Sequence, residues 1–127
     1  MPESRKRMRV KIDSFARLHC TGGVFNVRTA NISLKGVLLS QVVEVEPGEE
    51  CRLKLVLDSG VEMRFKVVVK RIDEAGTALS FVSMDEVSFG HLRNFIKLHA
   101  EDADAVDREL FSHAFKIINE ADTAAEY

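Results

Sequence analysis

Apolar and polar residues alternate through the first two-thirds of the chain, which is the period of strands with one face in a core. Ala16, Leu18 and Cys20 alternate with Arg17 and His19, and Phe25 and Val27 alternate with Asn26 and Arg28. Cys51, Leu53, Leu55 and Leu57 are interleaved with Arg52, Lys54 and Asp58. Val61, Met63, Phe65, Val67 and Val69 are interleaved with Glu62, Arg64, Lys66 and Lys70. Between these two runs lies Asp58-Ser59-Gly60, whose glycine can take a positive φ, so the runs are expected to form an antiparallel hairpin. A break at Asp73-Glu74-Ala75-Gly76 leads into Thr77, Leu79 and Phe81, and Pro47-Gly48 marks another turn. Six short strands with turn signals and no helix between them predict a small barrel or sandwich, not a parallel sheet.

After Val82 the period lengthens. Ser83 and Glu86 have capping-box spacing, and Val87, Leu92, Phe95, Ile96 and His99 recur at helical intervals. A second helical stripe is expected from Val106, Leu110, Ala114, Ile117 and Ala121, with Phe111, Phe115 and Ile118 beside it. That stripe is wide for a helix lying on one surface. It suits a helix wedged between the barrel and the preceding helix, or a homodimer contact through the C-terminal helices. The boundaries expected are a flexible basic arm over 1–11, a β-barrel over 12–83 and a helical segment over 84–127.

Composition supports one folded unit: 127 residues with 46% hydrophobic and 30% charged are enough for a single core. No apolar run approaches the roughly 18–20 residues of a bilayer span, and no apolar stretch follows the basic N-terminus as in a signal peptide. A cytoplasmic protein without membrane insertion is expected. Net charge is −2 but unevenly spread. Residues 1–11 carry Arg5, Lys6, Arg7, Arg9 and Lys11 against Glu3, a local +4, whereas residues 101–127 carry eight acids against Arg108 and Lys116, a local −6. An anionic ligand is drawn to one end of the chain only.

Enzyme chemistry finds little support. There is no glycine-rich phosphate loop, Gly22-Gly23 being a lone turn pair. His19, His91, His99 and His113 are dispersed, and Ser33 has no adjacent histidine or carboxylate pattern that would activate it. His91 and His99 lack the four-residue spacing of a helical metal pair. Cys20 and Cys51 show no CxxC or Cys/His spacing and are expected to be reduced, buried thiols. No catalytic residue, metal ligand or cofactor is expected.

The segments that carry recognition chemistry are SRKRMRV, residues 4–10, and NISLKG, Asn31 to Gly36, which begins 22 residues beyond Arg9. Asn31 and Ser33 flank Ile32, and Gly36 lets backbone or ligand approach closely. A serine-type or asparagine-type turn between strands would explain the second segment without a ligand. A solvated tail would explain the first. Arg28 and Arg71 read as exposed strand positions.

Taken together, Arg5-Lys6-Arg7-Met8-Arg9 as an RxxxR, and Asn31-Ile32-Ser33-Leu34-Lys35-Gly36 as an N-x-S-x-x-G after a first strand pair, resemble the PilZ domain family. The resemblance extends over roughly residues 4–100. It implies a six-stranded antiparallel β-barrel with C-terminal α-helical structure, serving as a receptor for the bacterial second messenger cyclic di-GMP, often taken as two stacked molecules. It implies that Arg5 and Arg9 hold guanine Hoogsteen edges and phosphates. Asn31, Ser33 and Gly36 would then receive a guanine on the barrel surface, with Lys6 and Arg7 as supporting charge.

The chemistry of the residues fits that role. Guanine O6 and N7 are adjacent acceptors that one guanidinium fork meets with two parallel hydrogen bonds, which lysine cannot reproduce. Ordering a free arm costs about 1–2 kcal/mol per residue, so moderate affinity is expected and the ordering can itself be the signal. A stand-alone adaptor acting through an unidentified protein effector is expected, because no output domain is recognisable. Two alternatives remain: a ligand-independent protein-interaction module, and a single-stranded nucleic-acid binder. The second suffers from a lack of exposed aromatic residues for base stacking, with no tryptophan and only Tyr127 as tyrosine.

Overall fold

A computed structural model describes residues 9–99 and 115–118. The strands run β1 (Val10–Lys11), β2 (Phe15–Cys20), β3 (Gly23–Ile32), β4 (Gly36–Leu39), β5 (Glu50–Val56), β6 (Glu62–Asp73) and β7 (Gly76–Asp85). Helix α1 (Glu86–His99) and strand β8 (Lys116–Ile118) follow. Six of the strands are neighbours in the order β3-β2-β5-β6-β7-β4, and the pairing of β4 back onto β3 closes them into an antiparallel barrel. Closure removes the exposed edges that an open sheet of this length would present. Among the described residues, no helix is long and apolar enough to cross a membrane.

The period-two pattern becomes the barrel's inside and outside. Ala16, Leu18, Leu53, Leu55, Met63, Phe65 and Val67 are completely buried, while their polar neighbours on the same strands point outward. Phe65 and Phe81 stack across β6 and β7 with ring centroids 4.4 Å apart. The expected hairpin through Asp58-Ser59-Gly60 forms, with Val56 opposite Glu62 and Gly60 at a φ of 93°.

Strands β1 and β2 lie along the same edge of β3 but are interrupted between Ile12 and Ser14. Thr29, buried to 1% exposure, fills the gap. Its hydroxyl accepts the Ser14 amide at 3.0 Å and lies within hydrogen-bond reach of the carbonyls of Ile12 and Ser14. An interrupted ladder in a core needs such a substitute, because an unpaired buried backbone group costs about 1–3 kcal/mol. The basic arm expected over 1–11 is thus strand at Val10–Lys11, since both residues have partners on β3; residues 1–8 lie outside the described residues.

Closure is most demanding where β4 meets β7. Gly36 faces Ser80 so closely that a Cβ at that position would collide with the backbone carbonyl oxygen of Leu79. Only glycine allows this approach.

Two expectations for the C-terminal third need correction. Helix α1 is capped by Asp85, not Ser83: the Ser88 amide donates to Asp85 Oδ1 at 2.6 Å, and Ser83 lies within β7, paired with Lys66 and Lys116. The strand continues past the expected boundary at 83 because β6 still offers partners through Met84. The second expected helix is a strand where it is described. Strand β4 covers only Thr77–Ser80 of the long β7, leaving the Ser83–Asp85 edge open, and Lys116–Ile118 pairs with that edge in parallel. The apolar stripe located the burial of Phe115 correctly but not its secondary structure: the ring packs against Phe81 and Phe89. Short apolar runs do not distinguish helix from strand by period. Val106, Leu110, Phe111, Ala114 and Ala121, and with them the homodimer contact expected of that stripe, lie outside the described residues.

These features generate two stability predictions. Asp85→Ala is expected to cost about 1 kcal/mol in chemical denaturation and to speed amide exchange at Ser88, whereas Ser83→Ala leaves that exchange unchanged; equal effects would reassign the cap. Gly36→Ala is expected to destabilise by about 1–3 kcal/mol through overpacking of β4 on β7. Gly90→Ala, in open space on α1, should instead raise stability by up to about 1 kcal/mol.

Candidate nucleotide site

The outer face of β3, β4, β6 and β7 carries a shallow cleft of about 100 Å³. Its floor is formed by Gly36, Leu38, Ala78 and Ser80, small or half-buried residues that leave room above the sheet. Arg9, Asn31, Ser33 and Gly36 all line it. Arg5, Lys6 and Arg7 lie outside the described residues.

Each motif residue reaches the cleft for a different local reason. Arg9 is exposed and immediately precedes β1, and the pairing of Val10 with Ile32 and Lys11 with Asn31 holds Arg9 beside the second motif. Asn31 owes its direction to a bulge. Thr29 pairs with Leu39 but Asn31 with Leu38, so Ala30 is an extra residue on β3. Without it, the alternation from Val27 and Thr29 would turn Asn31 inward. With it, Ile32 enters the core and Asn31 stays at the surface, half-buried.

Ser33 builds the turn from β3 to β4. Its Oγ accepts the amides of Lys35 at 3.1 Å and Gly36 at 3.3 Å, and its own amide donates to the Gly36 carbonyl at 2.9 Å. The serine-type turn anticipated as a ligand-free explanation is therefore present. A hydroxyl has one donor and two acceptor sites, so with both acceptor sites engaged Ser33 offers a ligand only its O–H. Gly36 contributes by having no side chain, which serves the β4–β7 contact and the open floor alike.

Three cations that the motifs do not single out complete the rim: Lys35, Lys70 and Arg71. The last two are both exposed because Val69 pairs with Leu79 and Arg71 with Ala78, making Lys70 a second bulge. The adjacent pair Lys70-Arg71 breaks the alternation that runs from Met63 to Val69, and this break is the sequence signal of the bulge. Arg71 Nε donates to Asp73 Oδ2 at 3.0 Å. The Ala75 amide, and then the Arg71 guanidinium, hold the Asp73 carboxyl below the usual carboxylate range. Arg28 points elsewhere, pairing with Asp13 at 2.7 Å, and remains an exposed strand residue outside the cleft.

The lining thus contains four cations and no acid. An amide, a hydroxyl donor and guanidinium forks around a flat floor can take an anionic, planar, hydrogen-bonding ligand; nothing in the lining offers a nucleophile paired with a base.

Comparison with known proteins agrees with this architecture. The model for the PilZ domain matches residues 3–98. No curated protein matches the sequence. Among solved structures, the inhibitor of motility MotI/DgrA of Bacillus subtilis superposes with a TM-score of 0.65 at 16% identity, covering 80% of this chain and 55% of that one. The chain therefore spans about half the length of MotI/DgrA. The PilZ domain of CeSA from a cellulose-synthesizing bacterium superposes with a TM-score of 0.55 at 15% identity, covering 72% of this chain and 93% of that domain. With three-quarters of its length matched by that family model, this chain belongs to the PilZ domain family.

Proposed function

We propose that this protein is a cyclic di-GMP receptor that acts as an adaptor and performs no catalysis. The observation that carries the proposal is the convergence of Arg9, Asn31, Ser33 and Gly36 on one cation-rimmed cleft without an acid. Cyclic di-GMP is a dianion with two guanines, and each guanine presents two adjacent acceptors to a guanidinium fork. Arg9 stands at the rim to make that contact, with Arg5 joining it from the segment upstream. Asn31 offers an amide that both donates and accepts, suited to a guanine edge, while Ser33 can give its single proton to a guanine or phosphate oxygen. Gly36 lets the base lie close to the strand. Lys35, Lys70 and Arg71 favour the phosphates.

In this mechanism the ligand draws the arginine segment onto the face formed by β3, β4 and β7, and the new surface is what a protein partner recognises. The anchor is already built, because β1 fixes Val10 and Lys11 next to Asn31. The proposed switch is the coupling of arginine-segment ordering to ligand binding.

The test is isothermal titration of the full chain with cyclic di-GMP, with GTP and cyclic AMP as controls. Saturable heat with cyclic di-GMP alone is expected. Arg9→Ala and Asn31→Ala should each weaken it, the arginine change by roughly 5- to 150-fold, the equivalent of losing one bidentate pair of about 1–3 kcal/mol. Raising the salt concentration should weaken binding through the lysines and arginines of the rim. Absence of heat through high-micromolar ligand, confirmed by a second binding assay, would overturn the receptor assignment in favour of a ligand-independent interaction module.

A further inference from the structure

At the other end of the β2–β3 hairpin from the nucleotide cleft, two cysteines 31 residues apart in sequence meet side by side. Strands β2 and β5 pair in the register Leu18 to Leu53 and His19 to Arg52, which brings Cys20 opposite Cys51. Their sulfurs are 2.9 Å apart, one thiol donating to the other. Both are free thiols, Cys51 buried and Cys20 half-buried. Glu49, one residue before β5, completes a cluster in which one ligand atom from each residue lies within 4.8 Å of the others.

We propose that Cys20, Cys51 and Glu49 form a binding site for a thiophilic divalent cation of the zinc class. Two sulfurs and one carboxylate oxygen are a donor set for such an ion, whereas magnesium and calcium favour all-oxygen sites. At Zn–S of about 2.3 Å and Zn–O of about 2.0–2.2 Å, tetrahedral ligands sit about 3.5–3.8 Å apart. The three groups already lie near that spacing, so small side-chain rotations on fixed strands suffice.

The carboxylate is held in place by two loops. Glu49 Oε2 accepts the Thr21 amide at 3.2 Å and Oε1 accepts the Glu46 amide at 3.3 Å, the kind of outer support that fixes a metal ligand's direction. Access is open. Gly23 is the β3 partner of Cys20, so no side chain from β3 stands opposite Cys20 on that face of the hairpin.

A disulfide is the competing fate of the pair. Forming it removes two electrons and needs an oxidant, whereas a dication displaces the thiol protons with no change of oxidation state.

The test uses the reduced full chain in a phosphine reductant, titrated with Zn2+ against a chromophoric chelator and with Co2+ as a spectroscopic probe. One Zn2+ per chain is expected, and the Co2+ adduct should show thiolate-to-metal charge transfer with tetrahedral ligand-field bands. Cys20→Ser and Cys51→Ser should abolish the charge transfer, and Glu49→Gln should weaken Zn2+ binding by about 10–100-fold. Far-UV circular dichroism establishes that each variant keeps its fold, and Glu49→Gln leaves the buried sulfurs intact. Three outcomes would overturn the site: no stoichiometric uptake, uptake unchanged in Cys20→Ser, or a reduced chain that forms the Cys20–Cys51 disulfide in air while binding no Zn2+.

Discussion

The structure depends on one closure, the return of β4 between β3 and β7. It is achieved by four residues and tolerates little variation. Ser33 turns the chain by accepting two amides of its own turn, and Gly36 lets β4 approach the Leu79 carbonyl where any side chain would collide. Phe81 then donates its amide to the Lys35 carbonyl, tying the turn to β7. If this seam opened, β3 and β7 would each expose an edge, and the inward faces that hold Leu39, Phe65 and Leu79 would lose their cover.

The same seam forms the cleft, so stability and the proposed recognition share residues here. Ser33 and Gly36 serve the closure first; their use to a ligand follows from it, as one remaining proton and an open floor. Arg9 and Asn31 carry no comparable structural duty, which makes them the residues free to specify a ligand. Two bulges sharpen the division. Ala30 keeps Asn31 out of the core, and Lys70 places two successive cations on the outside of β6. Each bulge breaks a ladder locally, and together they turn a regular barrel face into a positively rimmed surface.

Much of this was legible in the chain. Alternation identified the barrel strands because one buried face demands it, and the paired motifs identified the family. The motif residues from Arg9 onward converge because β1 and the turn after β3 are neighbours, a relation that strict strand order makes plausible but sequence spacing does not prove. What stayed hidden depends on register. The bulge at Lys70 leaves a trace in the sequence, two successive cations after Val69, but the extra residue at Ala30 is defined only by the register of β3 against β4. Strand β8 was read as helix because the open edge of β7 that recruits it exists only once β4 proves short. Cys20 and Cys51 looked unrelated because their meeting is a product of β2–β5 pairing, not of any local motif.

The central claim is that the closure seam is also the docking face for cyclic di-GMP. Backbone amide chemical shifts followed by two-dimensional NMR during a cyclic di-GMP titration test it most directly. The account predicts shifts concentrated at Asn31–Gly36, Lys70–Arg71 and Ala78–Ser80, with little change at Cys20, Cys51 or along α1. Saturable shifts centred on α1 or on the Cys20 end of the barrel, with the Asn31–Gly36 amides unmoved, would contradict it.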